Sequence, residues 1–179
     1  MQDTKKHLHM LGGKVVQDVG GGICQISSTL YNAVLLANLE VVERSNHHFL
    51  TSYVSAGLDA TVSWGTIDFK FKNTRKYPVK IQAIVKNGVV DISVYGIKED
   101  VEYEVVLQTK ILETIPRETI YENNNELEKG QEIVKTEGID GKVSETYRIL
   151  KQGDIIISQS LLSKDSYEPM DKVIERKEH

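Results

Sequence analysis

GGGICQISSTLYN occupies residues 20–32 and holds the chain's single cysteine, Cys24, between a glycine run and a series of hydroxyl-bearing residues. Glycine lacks Cβ, so such a run can turn sharply and let a ligand approach the backbone. Beyond it Ile26, Leu30, Ala33, Val34 and Ala37 fall at helical spacing. That stripe predicts a helix over residues 25–38, with Cys24 one residue ahead of it. Unpaired N–H groups and the macrodipole at a helix start favour an anion, and a thiol reacts as its thiolate. The backbone N–H groups of Gly21, Gly22 and Ile23 are suited to holding an oxyanion. The stretch is read as the seat of an activated nucleophile, against the plainer alternative of a cysteine used as small apolar filler. A P-loop is not indicated, because the Lys-Ser/Thr ending is missing.

A cysteine nucleophile needs a base, usually histidine, and a third group to orient it. His47 and His48 are the candidates inside the fold; His7 and His9 fall in a start expected to be mobile, and His179 is terminal. Neighbouring residues on a strand face opposite ways, so at most one of the pair meets Cys24, and spacing does not choose between them. Asp59 and Asp68 are the candidate orienting carboxylates. No regular ligand spacing supports a metal site, and no cofactor is expected. Around these residues Val41-Val42 reads as the start of a short strand. Ile67, Phe69 and Phe71 alternate with Asp68, Lys70 and Lys72 as a half-buried strand. Residues 79–97, broken by Asn87-Gly88, read as a hairpin with a type I′ turn.

Charge divides the chain. Residues 1–99 carry a balance of +3 and residues 100–179 a balance of −7, which places a join near Lys98-Glu99-Asp100 and predicts two domains, 1–99 and 100–179. The first is read as α+β, with one helix after the glycine-cysteine turn and antiparallel strands. The second is read as an elongated all-β module, with strand composition at residues 103–108, 147–150 and 154–158 and turns at Gly130, Gly138, Gly141 and Gly153. Lacking cysteine, and histidine before His179, it is not expected to supply nucleophilic or metal chemistry. A 40% hydrophobic content indicates a folded protein, and the net charge of −4 gives no sign of a nucleic-acid partner. The longest apolar run, residues 33–42, is too short to span a membrane and carries Asn38 and Glu40. The polar start has no signal-peptide core, so an exported protein would contain this chain as a piece. One cysteine excludes an internal disulfide.

Residues 20–73 resemble the core of the VanW family. The resemblance rests on the glycine triplet with Ile23 and Cys24, then Gln25, Ser28-Thr29, the Leu-Tyr-Asn-Ala run at 30–33, Glu43-Arg44 and His47. Tyr53-Val54, Gly57, the Asp-Ala-Thr run at 59–61, Asp68, Phe71 and Asn73 complete it. The family commonly has serine after the histidine, so the resemblance selects His47 over His48. An earlier strand with an Arg-Thr element, usual in the family, is not found here, and the chain is expected to start inside the domain. Residues 129–154 and 164–176 resemble a G-five domain, a β-rich module of bacterial surface proteins associated with spacing or with glycan binding.

The resemblance implies a peptidoglycan L,D-transpeptidase working outside the cytoplasm, at the cell wall or from a membrane anchor that these residues do not contain. Its partners would be peptidoglycan stem peptides and glycan. In that reading Cys24 is the nucleophile, His47 the general base and acid, and Asp59 the orienting carboxylate, with Asp68 as the alternative. Gln25, Ser28, Thr29, Tyr53, Trp64 and Asp68 are the candidate substrate-binding residues. The rival readings are a cell-wall-binding module without catalysis and an L,D-carboxypeptidase. Oligomeric state is not legible.

Overall fold

The structure, a computed structural model, describes residues 6–11, 14–19 and 22–177. It is mostly β-strand with one helix among those residues. Strands β1 (Lys6–Leu11) and β2 (Lys14–Val19) form an antiparallel pair, so His7 and His9 lie in a strand, not in the irregular start expected from sequence. Helix α1 (Ile23–Leu36) follows. β3 (Glu40–Glu43) pairs with β4 (Lys70–Lys72), and β5 (Lys80–Lys86) with β6 (Val89–Tyr95), both antiparallel. Asn87 and Gly88 take φ of 52° and 77°, the pair of positive values that a type I′ turn requires.

The rest is all-β. β7 (Glu104–Ile115), β10 (Gly141–Gln152) and β11 (Ile155–Tyr167) form an antiparallel sheet with β10 central. β12 (Lys172–Arg176) lies between β8 (Thr119–Asn123), parallel to it, and β9 (Glu132–Thr136), antiparallel.

Four further expectations need correction. Helix α1 begins at Ile23, so Cys24 sits inside its first turn, because Gly22, left-handed at φ 93°, is the N-cap. The buried face of α1 is Ser27, Ser28, Tyr31, Val34 and Leu35, whereas Ile26 is exposed. The face is rotated from the apolar stripe because Ala60 satisfies both serine hydroxyls: Ser27 Oγ donates to Ala60 O at 2.5 Å, and Ala60 N–H donates to Ser28 Oγ at 3.0 Å. Gly141 opens β10 and is not at a turn; a Cβ there would meet Tyr167 O at 2.6 Å and Pro169 N at 2.7 Å. Of the alternating run 67–72, only Lys70–Lys72 is strand.

The core centres on Tyr31, Leu35 and Ala60, with Val41, Leu58 and Phe69 against it. Leu107 of β7 and Leu162 of β11 pack on the same cluster, so strands from the second half help close the core of the first. Phe69 meets Tyr31 edge-on with centroids 5.6 Å apart.

Candidate active site

The site is assembled where the start of α1 meets the loop of residues 44–62. The first bond inside the helix runs from Ile26 N–H to Gly22 C=O at 2.9 Å, which leaves the earlier amides of the turn without an intrahelical acceptor. Cys24 is half-buried there, and its thiol donates to Val62 O at 3.5 Å. Loop 57–60 is fixed to the helix by the serine–Ala60 bonds and by Asn32 Nδ2, which donates to Leu58 O at 2.6 Å.

His47 and Asp59 meet in this loop. Asp59 is 1% exposed. Its Oδ2 accepts from His47 N–H at 2.7 Å and lies 2.6 Å from His47 Nδ1. Its Oδ1 accepts from Arg44 Nη2 at 2.9 Å and from the Tyr167 hydroxyl at 2.5 Å. Arg44 Nε also donates to the Asp59 carbonyl at 2.6 Å, and Arg44 Nη1 pairs with Asp165. On the other edge of the imidazole, Nε2 lies 3.2 Å from the Tyr53 hydroxyl.

Electrostatics follow from these contacts. His47 lowers the Cys24 pKa below the ordinary thiol value, more than burial raises it. Burial alone would lower the His47 pKa, but hydrogen bonding to Asp59 and the influence of Cys24 outweigh it and push it up to about 9. Burial would raise the Asp59 pKa, but the His47, Tyr167 and Arg44 contacts hold it below the usual carboxylate range. A thiol lowered and an imidazole raised favour a thiolate–imidazolium pair, the reactive form of a cysteine nucleophile.

The structure therefore brings Cys24, His47 and Asp59 together, with Tyr53 beside them. His48 is exposed and stacks edge-on to Phe49. Asp68 is exposed, accepts from Phe69 N–H at 2.8 Å and stands 3.7 Å from Lys70 Nζ, away from His47's partners. Ser28 is buried and committed to Ala60, so it shapes the loop and is not open to a ligand. The Thr29 hydroxyl donates to Gln25 O at 2.7 Å within the helix, and Gln25 is exposed. Trp64 is fully exposed, two residues beyond the Val62 carbonyl that touches the thiol. Ile23 and Gly22 lie in the first turn; Gly21 lies outside the described residues. Among the described residues no group of three or more His, Cys, Asp or Glu side chains is placed to hold a metal ion.

Sequence reasoning missed Arg44 as a partner of Asp59, and it missed Asp165 and Tyr167. Tyr167 lies 108 residues after the carboxylate it touches. No local pattern announces it.

A thiol, an imidazole and a buried carboxylate thus meet on a helix-bearing mixed domain that an all-β module follows, and together they make up a candidate cysteine–histidine site. The profile described as "VanW like protein" matches residues 4–95, more than half of the chain, and the chain belongs to the VanW family. A G5 domain follows at residues 106–176. The chain is 48% identical over 84 residues to the YoaR protein of Bacillus subtilis strain 168, covering 47% of this chain and 28% of that protein. It is 36% identical over 74 residues to the vancomycin B-type resistance protein VanW of Enterococcus faecalis, covering 38% of this chain and 27% of that one. It thus spans less than a third of the length of these relatives. Among solved structures, the IgA1 protease G5 domain (22% identity, TM-score 0.28) matches 44% of this chain and 95% of its own. The HP0197-G5 structure (18%, TM-score 0.24) matches 42% and 99%. No described helix is long and apolar enough to cross a membrane.

Proposed function

We propose that this chain carries the acyl-transfer site of a peptidoglycan L,D-transpeptidase, with Cys24 as nucleophile, His47 as general base and acid, and Asp59 as the group that orients His47. The observation that carries the reading is the convergence of Cys24, at a helix start, with an imidazole anchored through Nδ1 by a buried carboxylate. In the first half-reaction the Cys24 thiolate attacks the carbonyl of the third residue of a stem tetrapeptide. The C–N bond to the terminal D-alanine breaks, the leaving amine takes a proton from His47, and a thioester remains. In the second, the side-chain amine of another stem attacks the thioester and gives its proton to His47. The Cys24 thiolate then leaves, and an amide joins the third residues of two stems. Amides of the first turn, Ile23 and Cys24 among them, would hold the oxyanion in both steps.

Thioester chemistry conserves the acyl bond without ATP, which suits a reaction outside the cytoplasm. The cell-wall setting is supported by the G5 domain and by a relative named for vancomycin resistance. Tyr53, beside His47, and the exposed Trp64, two residues along the chain from the Val62 carbonyl at the thiol, would receive stem peptide and glycan. Gln25 and Thr29 line the outer edge of the helix.

The test is product analysis after incubation with purified disaccharide-tetrapeptide, wild type beside Cys24→Ala. A cross-linked dimer formed only by the wild type supports the transpeptidase. A trimmed tripeptide alone assigns an L,D-carboxypeptidase. Tight binding of muropeptide with no product from either protein assigns a binding module and overturns the proposal.

A further inference from the structure

We propose that the G5 domain completes the Cys24 site, with Tyr167 of β11 acting as a positioning residue that fixes Asp59 and, through it, His47. The inference rests on reading Cys24, His47 and Asp59 as the working set. It adds that this set is not finished within the VanW-matched residues.

The argument begins with the Tyr167 hydroxyl, which is buried with the rest of its side chain. Gly57 N–H donates to its oxygen at 2.7 Å, so the hydroxyl hydrogen is free to point at Asp59 Oδ1, 2.5 Å away. Burial, reinforced by Asp59, raises the Tyr167 pKa and keeps that hydrogen in place over the working range. With Arg44 Nη2 on the same oxygen, Oδ1 is occupied by two donors. Only Oδ2 is left for His47, and it takes both the His47 amide and Nδ1. The carboxylate therefore cannot turn without breaking bonds at both oxygens, and the far edge of the imidazole is aimed toward Tyr53 and the thiol.

The contact does not stand alone. Asp165, also on β11, pairs with Arg44, and Asn46 Nδ2 donates to Ser166 O at 2.8 Å. Glu168 N–H donates to His48 O at 2.9 Å, next to Phe49, which forms a parallel bridge with Glu168. Four successive residues, 165–168, thus each grip the segment 44–49 or the Asp59 loop. Gly57 marks how close the approach is: at φ 80°, a Cβ there would collide with Thr146 Oγ1 of β10. The charged and titratable groups facing Asp59 are Arg44 after β3, His47 in the loop and Tyr167 of β11, with Tyr53, Tyr31 of α1 and Asp165 one layer out. Those facing Cys24 are His47 and Tyr53.

The experiment is the pH dependence of Cys24 alkylation by iodoacetamide in the whole chain, wild type beside Tyr167→Phe, which removes only the hydroxyl. Tyr147→Phe is the control, since its hydroxyl bonds Glu145 on the same module and not the site. The expectation is that Y167F alkylates roughly three- to tenfold more slowly at pH 7, the change that the net worth of one ordinary hydrogen bond implies when it reaches the thiol only through Asp59 and His47. Its half-maximal pH should rise, while Y147F follows the wild type. A folded Y167F with an unchanged profile overturns the proposal. Hydrogen exchange on the wild type needs no variant: the Gly57 and Glu168 amides should be protected like those of β10, and rapid exchange at both also overturns it. Neither readout needs a stem-peptide substrate, so a failed transpeptidase assay and a failed positioning role give different results.

Discussion

Asp59→Asn is the most informative perturbation of the site. Four donors converge on the Asp59 carboxylate: Arg44 Nη2, the Tyr167 hydroxyl, the His47 amide and His47 Nδ1. An asparagine amide offers one acceptor oxygen and one NH2 donor in their place. Either orientation turns the NH2 toward groups that are themselves donors. Arg44 keeps Asp165 as its counter-charge, which moderates the loss of a buried pair. The cost expected is about 3–5 kcal/mol, the range for breaking a buried ion pair, or roughly 1–2 M in the urea midpoint. The same change removes the principal support for the raised His47 pKa, which should fall from about 9 toward its ordinary 6.5. The imidazolium that holds the Cys24 thiolate is then lost at neutral pH. Urea unfolding at pH 7 and the alkylation profile of Cys24 measure the two effects on one sample. A D59N protein within 1 kcal/mol of wild type, with an unshifted thiol, would refute the reasoning.

Three further outcomes are expected. Acyl transfer should follow a bell-shaped pH profile, with an acid limb below the ordinary thiol pKa and an alkaline limb near 9, where His47 loses the proton it must give the leaving amine; an alkaline limb near 6.5 would contradict it. The His47 pKa is higher in the folded state, so its contribution to stability is complete below about 6.5 and is lost as pH rises through about 9. The depressed Cys24 pKa acts with the opposite sign in the upper part of that window. Cys24→Ala removes that opposing contribution together with the support Cys24 gives the raised His47 pKa, so its stability should depend on pH differently from wild type across this window, and parallel curves in urea titrations would count against it. Trp64→Ala should leave the melting temperature unchanged, since the ring is fully exposed, yet raise KM for glycan-bearing stems; an unchanged KM removes Trp64 from the substrate surface.

The sequence carried the local part of this picture and not the long-range part. The glycine run beside helical spacing located α1 to within two residues, because turn and periodicity are both local signals. It misjudged which face is buried, since Ser27 and Ser28 become core residues only when Ala60 of a distant loop receives their hydroxyls. Asn87-Gly88 marked its hairpin for the same local reason that Gly141 misled: one glycine supplies a turn, the other makes room for Tyr167 and Pro169. His47 was selected by resemblance, where spacing alone left it level with His48. Asp59 and Asp68 are equally carboxylates in sequence, and only packing buries one beneath Arg44 and leaves the other in water. Tyr167 and Asp165 were invisible because the second half looked chemically plain. Their role comes from where β11 docks, which no periodicity encodes.

Intact-protein mass after incubation with disaccharide-tetrapeptide, wild type beside Cys24→Ala, tests the central claim most directly. The account predicts a wild-type mass gain equal to the acyl stem without its terminal D-alanine, mapped to Cys24 and absent from the variant. A folded wild type that remains unmodified while product accumulates, or an adduct that persists in Cys24→Ala, would contradict it.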